Sequence, residues 1–176
     1  MLANKKIAFF LYLASSLCLI LFLNSRCHVS YGLRDISIPD TIKTVKVNFI
    51  ENKARYVNPQ LSPRLTDKLR QKIVGQTRLT QTNSDNADWE ISGYISDYSV
   101  STSGISQRQA STNRLNVSVS ITLFNRRANI QNDPVSVSHA FDFPANRTLQ
   151  AAEAELLDEI IRNMTDEIFN QIFSSW

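Results

Sequence analysis

The sequence predicts an α+β fold, a two-layer sandwich in which a mostly antiparallel sheet of about four or five strands carries two helices on one face. Two observations support this fold class. Segments that alternate apolar and polar residues, as strands with one buried face do, fill the middle of the chain. Segments with apolar residues at steps of three and four, as in amphipathic helices, lie before and after them. The predicted element order is β-α-β-β-β-β-α.

The first strand and the first helix lie between residues 44 and 76. Thr44–Ile50 alternates apolar and polar residues and predicts a strand with one solvated face. A helix follows, with Ser62 as its N-cap, Pro63 at its first helical position and Gly75 at its end. Its apolar stripe consists of Leu65, Leu69 and Ile73.

Four further segments predict strands: Thr77–Thr82, Trp89–Tyr98, Leu115–Leu123 and Val135–Phe143. The third of them alternates without a fault. The link from residue 99 to 112 is rich in Ser, Thr and Gln, and we expect either a mobile loop or the flared ends of a hairpin.

The last predicted helix covers Leu149–Phe173, with acids gathered in its first two turns, where they suit the positive end of the helix dipole. At about 1.5 Å per residue, it is long enough to cross a whole sheet. Its apolar stripe recurs at steps of three to five residues and consists of Leu149, Ala152, Leu156, Ile160, Met164, Phe169, Ile172 and Phe173.

The N-terminus has the order of an export signal: Lys5 and Lys6, an apolar run from residue 7 to 23, and then small and polar residues before Cys27. We predict a signal peptide over residues 1–26, lipidation of Cys27, a tether over 27–42 and one domain over 43–176. Arg26 departs from the small residue that usually precedes a lipidated cysteine. The alternative is a retained signal anchor in the inner membrane, because the apolar run approaches the roughly 20 residues that span a bilayer.

Charge argues against nucleic-acid binding. Removing Lys5, Lys6 and Arg26 from the chain's 19 basic residues leaves 16, which equals the 16 acidic residues. The basic isoelectric point therefore belongs to the signal, and the mature domain is close to neutral. Its charge is nevertheless uneven, because basic residues dominate from 43 to 78 and acidic residues from 148 to 176.

Residue usage also argues against an enzyme, a metal site or a cofactor. The chain has two histidines, His28 in the tether and His139, which we predict on the solvent side of its strand. Asp85 and Asp88 flank a turn and residues 153–159 begin a helix, so we expect these acids to cap or to be solvated. With four glycines in all, no phosphate-binding loop is present.

Several short motifs, in order and spacing, carry a resemblance to a known family. They are Cys27 with Val29-Ser30-Tyr31, Ser37-Ile38-Pro39, Asn58-Pro59-Gln60-Leu61-Ser62, Gln76-Thr77-Arg78-Leu79, Asp88-Trp89-Glu90-Ile91-Ser92-Gly93-Tyr94, Asn113-Arg114-Leu115-Asn116-Val117, and Glu167-Ile168-Phe169-Asn170 running to Trp176. Over residues 27–176 the chain resembles the lipopolysaccharide-assembly lipoprotein family LptE, in a divergent branch.

The resemblance implies a non-enzymatic lipoprotein at the periplasmic face of the outer membrane. Such a protein plugs an LptD-type β-barrel and helps it insert lipopolysaccharide into the outer leaflet. The alternative is a periplasmic accessory lipoprotein of another envelope lipid-transport or secretion complex.

If the resemblance holds, basic side chains are the candidates for contact with the phosphates of lipopolysaccharide or with acidic barrel walls. The alternative is that they are ordinary solvated charges. The candidates are Lys46, Arg78, Arg108, Arg114, Arg126 and Arg127.

Overall fold

The computed structural model describes residues 38–106 and 109–174. Cys27 and Arg108, the predicted signal peptide and all but the end of the predicted tether lie outside these ranges. Within them the strands are β1 (Thr44–Val47), β2 (Glu51–Asn52), β3 (Thr80–Gln81), β4 (Trp89–Ser106), β5 (Gln109–Asn125), β6 (Ile130–Gln131) and β7 (Val135–Pro144). The helices are α1 (Leu61–Gln76) and α2 (Leu149–Ser174).

Three long antiparallel strands form one side of the sheet. β4 and β5 pair from Trp89↔Asn125 to Ser106↔Gln109, and β7 pairs with the other side of β5 from Thr112↔Pro144 to Ile121↔Val135. The short β6 also pairs with β5. This part of the sheet agrees with the antiparallel pairing that the sequence predicts.

The opposite edge of the sheet is parallel, which the sequence analysis did not anticipate. β1 lies parallel to β4 in the register Val45↔Trp89, β2 follows it along β4, and β3 is parallel to β1. The reason is connectivity, because the chain leaves β1, returns through α1 and enters β3 in the same direction, as in a β-α-β crossover.

The segment from residue 99 to 112 forms strands rather than a loop. Pairing between β4 and β5 continues to Ser106↔Gln109, with irregularities between Ile95 and Asp97 and on both sides of Gly104. The apolar alternation fades here because the exposed side chains from Ser99 to Ser103 face no core. Without that alternation, the sequence carries little strand signal.

α1 begins differently from the prediction. Its N-cap is Gln60, without a side-chain capping bond, and Ser62 lies buried inside the first turn. Asn58 takes a turn-forming role instead, because its Oδ1 accepts the N–H of Gln60 at 2.9 Å. The helix ends at Gln76, one residue after Gly75.

Both helices pack on the same face of the sheet and run parallel to each other. Ion pairs link Arg64 to Asp158 and Lys72 to Asp166, each across a separation of 94 residues. An unchanged separation two turns further along both helices requires that they run in the same direction. α2 covers the predicted range and extends to Ser174.

One apolar core fills the space between the helices and the sheet. Its members alternate along β1, β4, β5 and β7 and follow the stripes of both helices, and Trp89 contacts Phe173 with ring centroids 6.0 Å apart. Among the described residues, neither helix combines the length and the apolar character needed to cross a membrane. Fully buried members include Val45, Leu61, Leu65, Leu69, Ile73, Ile95, Leu115, Val117, Ile160, Met164 and Ile168.

Gly93 leaves room for a neighbouring strand. A Cβ at this position would lie 2.5 Å from Cδ1 of Ile121 and 2.7 Å from the carbonyl oxygen of Ser120, and the latter is backbone that cannot move aside. We expect Gly93→Ala to lower the free energy of unfolding by about 1–3 kcal/mol through overpacking. Urea denaturation measures this change.

Gly75 supplies the matched control for that substitution. It lies in the last turn of α1, where an added Cβ meets nothing within 4 Å. Gly75→Ala is therefore expected to raise the free energy of unfolding by about 0.5 kcal/mol, through the better helix propensity of alanine. If both variants lost stability equally, the close approach at Gly93 would not be the cause.

Candidate functional site

The structure brings three of the predicted contact residues together. Lys46 lies on β1, and Arg126 and Arg127 follow the last residue of β5. Val45 pairs with Trp89, and Trp89 pairs with Asn125, so the three cations meet where β4 begins. We call this end of the sheet the charged edge.

A buried carboxylate organises the charged edge. Oδ2 of Asp88 accepts the N–H of Lys43 at 2.8 Å, and the N–H and the hydroxyl of Thr44 at 2.9 and 3.0 Å. Its Oδ1 accepts Nε of Arg127 at 2.6 Å. The Asp88 side chain thereby ties the start of β1 and the turn after β5 to the start of β4. The sequence analysis expected a capping or solvated acid, but Asp88 is 8% exposed.

The pKa of Asp88 reflects this environment. Burial alone would raise the pKa, but the backbone donors of Lys43 and Thr44, the Thr44 hydroxyl and the Arg127 guanidinium outweigh it. The net result lowers the pKa of Asp88 to about 2. The side chain is therefore charged throughout the physiological range.

The other two cations of the charged edge also have acidic partners. Arg126 contacts Glu90 at 3.2 Å, donates to the carbonyl of Ala87 at 3.2 Å and lies over the ring of Phe124. Lys46 contacts Asp85 at 2.6 Å. Each of the three cations Lys46, Arg126 and Arg127 thus has an acidic partner, Asp85, Glu90 and Asp88 respectively.

Arg78 and Arg114 lie apart from these three cations. Arg78 contacts Asp40 at 2.5 Å and also donates to the carbonyl of Ile38, next to β1. Arg114 lies on β5, on the sheet face away from the helices, where it donates to both carboxylate oxygens of Asp142 at 2.7 and 2.9 Å. These bonds raise the pKa of Arg114 and lower that of Asp142.

The sheet face opposite the helices carries mainly small polar side chains. Ser118 and Ser138 share a hydrogen bond of 2.8 Å across neighbouring strands, and Asn48 donates to Ser92 at 2.9 Å. We call this surface the open face, because no described helix covers it. It also carries Tyr94, Asn116, Ser120, Thr122 and Ser136.

The prediction for a second acid, Glu153, which was expected to cap or to be solvated, is wrong. Glu153 on α2 is buried, and its carboxylate accepts the hydroxyls of Tyr98 at 2.8 Å and Tyr56 at 3.2 Å. The two rings stack with centroids 5.6 Å apart. Burial, followed by the bond to Glu153, raises the pKa of Tyr98. The cluster joins β4, the segment before α1 and the start of α2, which are distant in sequence.

His139 differs from its prediction as well. It lies on the helix side of β7, where Nδ1 contacts Glu167 of α2 at 2.6 Å and the ring packs against Phe141. Val137 and Phe141, two positions away on either side, are both buried, so strand alternation places His139 on their face. Among the described residues, no group of three or more potential metal ligands is present.

A small apolar cleft opens between β5, β7 and the end of α2. Its volume is about 160 Å³. Ile121, Leu123, Val135 and Ile172 line it, with polar side chains at its rim. The cleft contains none of the predicted contact residues.

Comparisons with known proteins agree with this architecture. A family model described as LptE, lipopolysaccharide-assembly, matches residues 42–172. A sequence search of curated proteins finds no match.

Solved structures share the fold at low sequence identity. A minor lipoprotein from Acinetobacter baumannii is 16% identical with a TM-score of 0.52, and the match covers 77% of this chain and 95% of that one. An uncharacterized lipoprotein B from Nitrosomonas europaea is 14% identical with a TM-score of 0.51, covering 75% of this chain and 80% of that one. These likenesses show the fold alone.

The low pKa of Asp88 predicts how stability depends on pH. Its folded pKa of about 2 lies below the unfolded value of about 3.9. Its contribution is therefore complete above about pH 4 and is lost as the pH falls through the folded value. Asp88→Asn removes the charge-assisted bonds. We expect the free energy of unfolding to fall by about 2 kcal/mol at neutral pH and to depend less on pH in the acid range. Urea denaturation at several pH values measures both.

Asp85→Asn is the matched control for that substitution. The Asp85 side chain is 91% exposed and pairs only with Lys46 among the contacts of the described residues. An exposed pair contributes little, so this variant should keep the stability of the wild type at neutral pH. Equal losses in the two variants would contradict the role assigned to Asp88.

Proposed function

The chain belongs to the LptE family of lipopolysaccharide-assembly proteins, and we propose on that premise that it plugs an LptD-type β-barrel in the outer membrane. In this role it assists the barrel in inserting lipopolysaccharide into the outer leaflet. It performs no covalent chemistry. The observation that carries the proposal is the family match, which spans residues 42–172 and so covers almost all of the described domain.

The surface of the domain suits the water-filled interior of a β-barrel. The helices and the sheet enclose the apolar core between them, and the open face presents hydroxyl and amide groups. The interior of a large barrel is polar, so a plug needs a polar exterior rather than a lipid-facing one. The charged edge adds ion pairs to that surface.

Membrane attachment is proposed to occur through Cys27. The sequence places this residue after the apolar run of an export signal. Acyl chains contribute about 0.8 kcal/mol per buried methylene, and two or more chains give stable anchoring. Mass spectrometry of the mature N-terminus tests this step, because a chain that begins at Met1 or carries an unmodified Cys27 would contradict it.

Contact with lipopolysaccharide or with the barrel is proposed for the six basic residues Lys46, Arg78, Arg108, Arg114, Arg126 and Arg127. Each guanidinium has five N–H donors in a fork that matches a phosphate. Arg126 and Arg127 use only some of these donors within the chain, so an outside anion can bind the rest.

Co-purification tests the partnership. The full chain, tagged at its C-terminus, should retain the LptD-type barrel of its own organism, and its depletion should leave lipopolysaccharide in the inner membrane. Retention of the subunits of an inner-membrane transporter, without the barrel, would favour the alternative role as an accessory of another envelope complex.

Arg114 gives the sharpest test of contact because its partner can be changed separately. Arg114→Gln removes the cation, whereas Asp142→Asn keeps the cation and frees its donors; both variants lose the same exposed ion pair. We expect Arg114→Gln to bind purified lipopolysaccharide about tenfold more weakly, while Asp142→Asn binds at least as well as the wild type. Equal binding by the two variants would show that Arg114 makes no such contact.

A further inference from the structure

β4 is paired along its whole length on one side only. β5 accompanies it from Trp89 to Ser106, whereas β1 and β2 reach only as far as Ile95 on the other side. From Asp97 to Ser106, no described strand pairs with that second side. We call the regular part of this stretch, residues 97–102, the free edge.

The direction of the unpaired backbone groups follows from the strand itself. Ile91 and Ile95 face the core, and their carbonyls accept the N–H groups of Asn48 and Lys53 on the β1–β2 side. Tyr98 is the next core-facing residue after the irregularity, so its N–H and C=O point to the same side. By alternation, the backbone of Val100 and Thr102 also points away from β5.

The free edge lacks the residues that usually protect such edges. Natural sheets discourage edge pairing with lysine, proline or bulges. The stretch contains no Lys, Arg or Pro, and its single charge is Asp97. Irregularities on either side leave residues 97–102 as a regular segment, in which Val100 is 43% exposed.

Neither the chain's own N-terminus nor a second copy suits this edge. The described chain starts at Ile38, beside Arg78, at the opposite end of β4. Fully extended, residues 28–37 span at most about 36 Å. The free edge lies about 30 Å away along β4, so reaching it would use almost the whole of this segment. A six-residue strand is also far smaller than the roughly 20–30 residues per side of a stable interface. The occupant must therefore be held by other contacts as well.

We propose that the free edge, residues 97–102, adds an extended and uncharged segment of the barrel partner as a further strand. The inference rests on the proposed function, because the plug's other contacts would supply the local concentration that a short strand needs. Main-chain bonds at Val100 and Thr102 give affinity. The apolar Val100 on one face and Ser99 and Ser101 on the other select a segment that alternates apolar and small polar residues.

Proline at position 100 tests the inference. Val100→Pro removes an N–H that points outward and leaves the ladder with β5 intact, as prolines at sheet edges do. Val100→Thr keeps both the N–H and the β-branched shape and serves as the matched control. In co-purification with full-length chains, we expect Val100→Pro to retain the barrel about tenfold less well than the wild type, and Val100→Thr to retain it normally.

Hydrogen exchange on the wild type provides a second measurement that does not depend on a variant's folding. The amides of residues 98–102 that point outward should exchange fast in the free chain and slowly in the complex. Normal retention by Val100→Pro, or no gain of protection in the complex, would overturn the inference while leaving the plug proposal intact. A homodimer that Val100→Pro abolishes would also overturn it, and failure of the wild type to retain any barrel would overturn both proposals.

Discussion

The bonds to the Asp88 carboxylate are the constraint on which one edge of the sheet depends. β1 has only four residues, and a strand of that length pairs weakly by itself. The Asp88 carboxylate accepts the N–H of the first residue of β1 and the N–H of the residue before it. From the turn after β5, the Arg127 side chain binds the same carboxylate, and the N–H of Arg126 binds the backbone carbonyl of Asp88. One residue therefore holds the register of β1 against β4 and the end of β5 through its carboxylate and its backbone carbonyl.

The same arrangement explains why predicted contact residues that look unpaired in the sequence have acidic partners in the fold. Lys46 and Arg78 stood out because basic residues dominate from 43 to 78, and the four arginines because they lie near the ends of the predicted hairpins. Folding brings Asp85, Asp88 and Glu90 to Lys46, Arg126 and Arg127. The result is a network whose six charges sum to zero. Its cations can bind outside anions in place of their acidic partners, but the network does not attract anions over a long range.

Fold class could be predicted from the sequence because one-sided burial leaves a clear pattern. Every long strand with a core-facing side, and the whole of α2, was located by apolar periodicity. β1 and β3 lie within predicted strands, but their parallel direction could not be predicted, because alternation marks a strand and not the direction of its neighbours. β2 has two residues, too few to show a pattern. The burial of Glu153 could not be predicted for a related reason: its partners Tyr56 and Tyr98 are distant in sequence, and only the packed fold brings them together.

The far part of the β4–β5 hairpin receives little stabilisation from the apolar core. Up to Tyr98, β4 is held by β1, β2 and the bond to Glu153, and its apolar side chains are buried under both helices. Beyond that point the residues from Ser99 to Ser103 are exposed and bury little apolar surface to offset the entropy of ordering them. Their strand conformation rests on pairing with β5, which β7 flanks on its other side as far as Thr112. A segment that is paired on one side only and buries little apolar surface has much to gain from a further strand on its open side. The open backbone groups that make this edge costly are therefore the same groups that a partner strand would bind.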